Sequence, residues 1–366
     1  MNKPPEARKR RRRPPHRRRG FAGQVQAQFR GVSRPTGMLS AGRLTLPEKR
    51  SIIRRFPDRV PLGVSGWGPD GRILDGFAEG GVDIYFCGTR GSMPAPGEPY
   101  VRYGGHTSCV GLARSGEKPS LVLDSGTGLV NLDAVLGQAA FQGTLLLGHL
   151  HWDHTYGMPF FAAGARPGHR VNVLLPGQGP GQDAELVLAR AMSPPHFPVE
   201  PHNLGEGWRF GSVEEGEHDI EGFSVLALEI PHKGGRTFGY RVSDGTHSVA
   251  YFSDHHPLAL GPGPSGVGEL HPAAVALASK VDLLIHDAQY TAGELPALAY
   301  LGHSCPDYAI SLAAEAGARQ VCLFHHAPRR TDDALDELAA RYAGRLIPVF
   351  VARDELTVRL APLAKP

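Results

Sequence analysis

Cysteine is scarce in this chain: four in 366 residues, at Cys87, Cys109, Cys305 and Cys322, with no close pair among them. That spacing excludes a disulfide framework and a cysteine-built zinc site, and reads as buried thiols in a reducing compartment. No apolar run is long enough to cross a bilayer, so a membrane span is not expected and a cytoplasmic location is. The N-terminal arginines are followed by no apolar stretch, which argues against an export signal. A dinucleotide fingerprint is also missing, because Gly126 and Gly128 are not part of a G-x-G-x-x-G run.

Basic residues are abundant in one place only. Residues 1–20 carry ten Lys or Arg and one Glu, which leaves about −6 on the remainder of a chain whose formal net charge is +3. An acidic body offers no general attraction for a polyanion, which disfavours RNA as a partner. The run at 8–19 reads as a solvated tail rather than a binding face. Residues 1–80 lack apolar periodicity and are expected to be a mostly disordered extension, with a short ordered patch at 46–56. A single large domain is expected over 81–362.

Within that domain, strand-like runs fall at 82–87, 109–113, 121–124, 144–147, 171–175, 223–230, 238–242, 248–252, 281–286, 320–324 and 356–360. Helical spacing falls at 127–139, 182–191, 272–279, 306–316 and 332–341. This order suits an α/β protein with two sheets and helices outside them, an αββα sandwich, although propensity alone does not choose it. Met158-Pro159-Phe160-Phe161 reads as core packing, and the proline-rich stretch 194–198 as a rigid rim.

The segment His149-Leu150-His151-Trp152-Asp153-His154-Thr155 gathers three imidazoles and a carboxylate directly after an apolar strand. His149 and His151 can turn toward one point, and Asp153 and His154 toward a second a short way off. Such ligands suit Zn²⁺ best, and also Mn²⁺ or Fe²⁺. Four groups cannot fill two coordination spheres. His232, Asp254 and His325 each end an apolar run and are the further candidates.

The H-x-H-x-D-H pattern resembles that of the metallo-β-lactamase superfamily. Phe86-Cys87-Gly88-Thr89-Arg90-Gly91-Ser92, Leu123-Asp124-Ser125-Gly126-Thr127-Gly128, Tyr251-Phe252-Ser253-Asp254, Gly302-His303-Ser304 and Leu323-Phe324-His325 place the likeness in its phosphodiesterase branch, with ribonuclease Z and bacterial cyclic phosphodiesterases. The resemblance implies two divalent ions. His149, His151 and His232 would hold one, and Asp153, His154 and His325 the other, with Asp254 and a hydroxide bridging them. It implies hydrolysis of a phosphodiester in a small or cyclic substrate, with Asp254 and His303 as catalytic residues and His303 stabilising the pentavalent intermediate or protonating the leaving group. RNA 3′-end processing and carboxylic ester or thioester hydrolysis are the alternatives within the superfamily, and a metal-containing binding module is the non-enzymatic one. A homodimer is expected by analogy alone.

Ribonuclease Z grips tRNA with a protruding arm, in one form inserted before the bridging aspartate. Only residues 242–253 separate Arg241 from Asp254 here, too few for such an arm. Asp124, His286 and Asp287 are expected to support the ligand imidazoles. Arg102, Tyr103 and His106, in a polar loop after the first strand, are candidates for contact with the substrate anion.

Overall fold

The structure, a computed structural model, describes residues 81–360. The extension assigned to residues 1–80, its patch at 46–56 and the basic run at 8–19 lie outside the described residues. Fourteen strands are β1 (Val82–Gly88), β2 (Cys109–Arg114), β3 (Leu121–Leu123), β4 (Gln142–Leu146), β5 (Arg170–Pro176), β6 (Trp208–Val213), β7 (Gly216–Ile220), β8 (Phe223–Glu229), β9 (Phe238–Ser243), β10 (Ser248–Phe252), β11 (Leu283–Asp287), β12 (Val321–Phe324), β13 (Val349–Val351) and β14 (Leu356–Leu360). The helices are α1 (Leu129–Leu136), α2 (Ala184–Ala189), α3 (Pro272–Ala278), α4 (Leu295–Leu298), α5 (Pro306–Ala316) and α6 (Asp332–Tyr342).

Strand alternation builds the layers. Val82, Ile84 and Phe86 of β1 meet Val225 and Ala227 of β8 and Val249 and Tyr251 of β10 in one core between two sheets. The intervening residues face outward. Cys87, Val122 and Leu145 pack with α1 and α2, while Ala250, Phe252, Val321 and Leu323 pack with α3, α5 and α6. The result is the αββα sandwich, with strand orders β14-β1-β2-β3-β4-β5-β6 and β13-β12-β11-β10-β9-β8-β7.

Strand direction then decides where chemistry can gather. β10, β11 and β12 pair in parallel, so Asp254, Asp287 and His325 emerge at one edge. β8 pairs antiparallel to β9, and β9 antiparallel to β10, so β8 runs the same way as β10 and delivers His232 there too. In the facing sheet, β3 and β4 are parallel and deliver Asp124 and the 149–154 segment.

Three strands escape the sequence reading. β7 buries only Ile220 among alternating Glu, His and Asp, as an edge strand facing solvent does. β6 is polar along half its length, and β13 has three residues. Helix 127–139 shrinks to α1 because Gly137 ends it at a positive φ, and Asp183 caps α2 by accepting from the Leu186 N–H.

The loop between β1 and β2 is pinned by half-buried Asp354, which accepts from the Thr89 hydroxyl at 3.0 Å and the His106 N–H at 3.0 Å. Burial pushes the Asp354 carboxyl up to about 7 against these bonds and the nearby Arg90. The folded protein therefore holds this proton more tightly than the unfolded chain, and stability falls as pH rises from about 4 to about 7, by at most about 4 kcal/mol. Asp354→Asn, whose amide mimics the protonated acid, should flatten that slope in urea melts at pH 5, 6 and 7.5. An unchanged slope would assign it to other groups.

Candidate metal centre

His149, His151, His232 and Asp254 converge so that one ligand atom from each lies within 4.8 Å of the others, and Asp153, His154 and His325 do the same beside them. Asp254 stands between the two groups. Its Oδ2 faces His232 Nε2 at 3.3 Å and His149 Nε2 at 3.6 Å, while its Oδ1 faces His325 Nε2 at 3.0 Å and His154 Nε2 at 3.1 Å. His151 Nδ1 lies 3.3 Å from His232 Nε2, and Asp153 Oδ2 lies 3.1 Å from His154 Nε2 and 3.2 Å from His325 Nε2.

Metal ions fit this cradle. Among the described residues, His149 Nε2, His154 Nε2 and Asp254 Oδ1 are buried and make no hydrogen bond, although oxygen and nitrogen nearly touch. Buried polar atoms normally find a partner, and nitrogen lone pairs facing a shared carboxylate are satisfied by a cation. Burial alone would raise the Asp254 pKa, but His325, His154, His149 and His232 overcome it and hold the carboxyl well below the usual range. Burial depresses His149 strongly, and neighbouring His154 adds to this, so its imidazole is neutral and able to ligate.

Further partners fix each ring. Asp124 Oδ2 accepts from His154 Nδ1 at 2.8 Å and from the Tyr251 hydroxyl at 2.8 Å, while its Oδ1 accepts from the Gly148 N–H at 2.7 Å. His232 Nδ1 donates to the Gly302 carbonyl at 2.8 Å, which aims Nε2 at Asp254. Asp124 and His325 sit at φ 59 and 57, a left-handed conformation uncommon outside glycine and typical of constrained sites. Asp124→Asn tolerates that backbone but turns an amide N–H toward one of three donors. It should weaken metal affinity about 10- to 100-fold in chelator competition. Unaltered affinity would reduce Asp124 to a packing role.

Asp287 gathers the other edge of the site. Its Oδ2 accepts from His303 Nδ1 at 3.2 Å, the Ser304 N–H at 3.1 Å and the His255 N–H at 3.2 Å. Burial disfavours charge on His303, but Asp287 and Asp254 prevail and raise its pKa to about 9. His286 turns away from the cluster. Its Nδ1 donates to the Asp287 carbonyl, its Nε2 accepts from His255 Nδ1 at 3.0 Å, and burial holds both rings neutral.

The remaining candidates separate. The Arg102 guanidinium is tied to Asp333 and Asp336, and the Tyr103 hydroxyl donates to Asp336 at 2.9 Å, so both lie along α6. His106 instead lines a cavity beside the 149–155 segment. The 158–161 stretch needs a correction. Met158 and Phe161 are buried as expected, but Phe160 is 63% exposed, because a 3-10 turn at Met158–Phe160 sends it outward.

Sequence reasoning gave no role to Gly91 and Ser92, which both serve the site. The Ser92 N–H donates to Asp153 Oδ2 at 2.6 Å, and a Cβ on Gly91 would lie 2.3 Å from His325 Nδ1. Their signal was present in the Gly-Thr-Arg-Gly-Ser segment, but a backbone donor leaves no mark of its own in residue type.

Residues 135–326, just over half the chain, match the family model of the beta-lactamase superfamily domain. The chain belongs to the metallo-β-lactamase superfamily. Within this superfamily it is similar to the ribonuclease Z of Natronomonas pharaonis, 25% identical over 74% of this chain and 92% of that one. It is also similar to the ribonuclease Z of Salinibacter ruber, 26% identical over 75% and 93%. Among solved structures, the metallo-beta-lactamase fold protein YhfI from Bacillus subtilis superposes with a TM-score of 0.57 at 18% identity, covering 77% of this chain and all of that one. Its place in the superfamily is the phosphodiesterase, ribonuclease Z-like branch, and the paired clusters make it a dinuclear metal-dependent hydrolase. No helix among the described residues is long and apolar enough to cross a membrane.

Proposed function

We propose that the protein is a phosphodiesterase that cleaves small or cyclic phosphodiesters, with His149, His151 and His232 holding one ion, Asp153, His154 and His325 the other, and Asp254 shared. The observation that carries this reading is the division of Asp254, each carboxylate oxygen facing two imidazoles from opposite sides. When bound, two divalent ions lower the pKa of water and neutralise charge on phosphoryl oxygens. Imidazole and carboxylate ligands favour Zn²⁺, and Mn²⁺ or Fe²⁺ suit the same set.

His303 supplies the proton. Asp287 holds its Nδ1, so Nε2 is the nitrogen left to protonate the departing alkoxide as the phosphorus–oxygen bond breaks. Asp153 and Asp254 are unsuited as general bases once their lone pairs are committed to ions. Four buried, unpaired thiols support a reducing, cytoplasmic setting.

A second reading is RNA 3′-end processing, favoured by the ribonuclease Z names of the relatives. Against it stands the tight turn from β9 to β10: the Asp244 N–H donates to the His247 carbonyl, and no arm rises between His232 and Asp254. The acidic composition beyond residue 20 points the same way. The full chain, loaded with Zn²⁺, should hydrolyse bis(p-nitrophenyl) phosphate and cyclic nucleotides, and chelation should abolish both activities. Faster cleavage of precursor tRNA, lost on removing residues 1–35, would decide for RNA.

A further inference from the structure

A cavity of about 450 Å³ opens beside the metal centre, between the 149–160 segment and α2. The 149–155 segment serves both sites. His149, His151, Asp153 and His154 point into the ion cluster, while Leu150, Trp152 and Tyr156 line the cavity. The opposite wall is apolar, with Val187, Leu188 and Phe197. Its aromatic rim is open to solvent, with Trp152 62% and Phe160 63% exposed. Trp152 stacks on Tyr156 at 5.7 Å, and Phe160 meets Phe197 edge-on at 6.1 Å. Solvent-facing aromatics that hold one another in place around a concavity mark a binding surface.

We infer that this cavity receives an uncharged hydrocarbon group, aryl or alkyl, carried by the same diester that is cut at the ions, an inference that rests on the proposed phosphodiesterase. The polar side chains of the lining are few and largely engaged. Thr155 Oγ1 donates to the His151 carbonyl at 3.2 Å, and Thr127 Oγ1 accepts from the Thr107 N–H at 2.9 Å, which leaves His106 and, at the rim, the Tyr156 hydroxyl and the Trp152 indole N–H. No Lys, Arg, Asp or Glu lines it. A nucleobase has several donors and acceptors, more than these few groups replace when it leaves water, and a second phosphate would find no cation. An apolar group needs neither, and burying it ties its carrier to the loop that holds four of the ligands.

Competitive inhibition by phosphonates tests this on the full, Zn²⁺-loaded chain. Hexylphosphonate and benzylphosphonate should inhibit bis(p-nitrophenyl) phosphate hydrolysis about 10- to 100-fold more tightly than methylphosphonate. Val187→Asp, which sets a charge in the wall, should reduce that advantage below about threefold. Phe160→Ser, at an exposed position that the fold does not need, should reduce it as well. Equal inhibition by all three phosphonates, or an advantage that survives both substitutions in protein that still holds two ions, would overturn the inference and leave the phosphodiesterase standing. Absence of diester hydrolysis in protein holding two ions would overturn both.

Discussion

Asp254→Asn is expected to leave the protein with one ion or none per chain and to lower kcat/KM by at least about 10³-fold, which corresponds to about 4 kcal/mol of transition-state stabilisation. An amide presents one oxygen, whereas the two sides of this carboxylate face different imidazole pairs at 3.0 to 3.6 Å. Its NH₂ cannot coordinate a cation and would donate to the imidazole lone pairs that the ions require. Elemental analysis of the purified variant, beside a diester assay, measures both losses. A variant with two ions and a tenth of the activity would refute the shared role.

His303→Ala should separate chemistry from metal content. Turnover is expected to fall about 10²- to 10⁴-fold, the usual contribution of a positioned acid, while two ions stay bound. The loss should be greater for an alkyl leaving group than for p-nitrophenolate, which departs without a proton. The pH profile supplies a further sign. The acid must be protonated to act, and Asp287 with Asp254 raises its pKa against burial, so activity should fall on the alkaline side in the parent protein. That limb should vanish in the variant. Equal losses for both leaving groups, or loss of an ion together with the activity, would show that His303 holds the site in shape and does not donate the proton.

Much of this centre is legible in one dimension because its proposed ligands sit where apolar strands stop. Val321–Phe324 ends at His325 and Ser248–Phe252 is followed by Ser253 and Asp254, so a reader who finds the strands finds the ligands. The pairing of Asp287 with His303 is different. A loop containing α4 separates them, and nothing in residue type shows that one carboxylate gathers N–H groups from residues 255, 303 and 304. Phe160 shows a second limit, since hydropathy records that a side chain is apolar but not which way a short 3-10 turn directs it. Edge strand β7 was hidden for a related reason, its outward residues being as polar as those of a loop.

Asp124 and Gly302 steady the His154 and His232 rings through the protein's own hydrogen bonds, whereas Asp254 Oδ1 and the Nε2 atoms of His149 and His154 are left to a cation. Beneath the cradle the sandwich rests on three clusters of buried apolar side chains. The apolar burial that drives folding therefore lies apart from the polar edge where the ions would sit, so a substitution among the candidate ligands is expected to spare the fold while emptying the site.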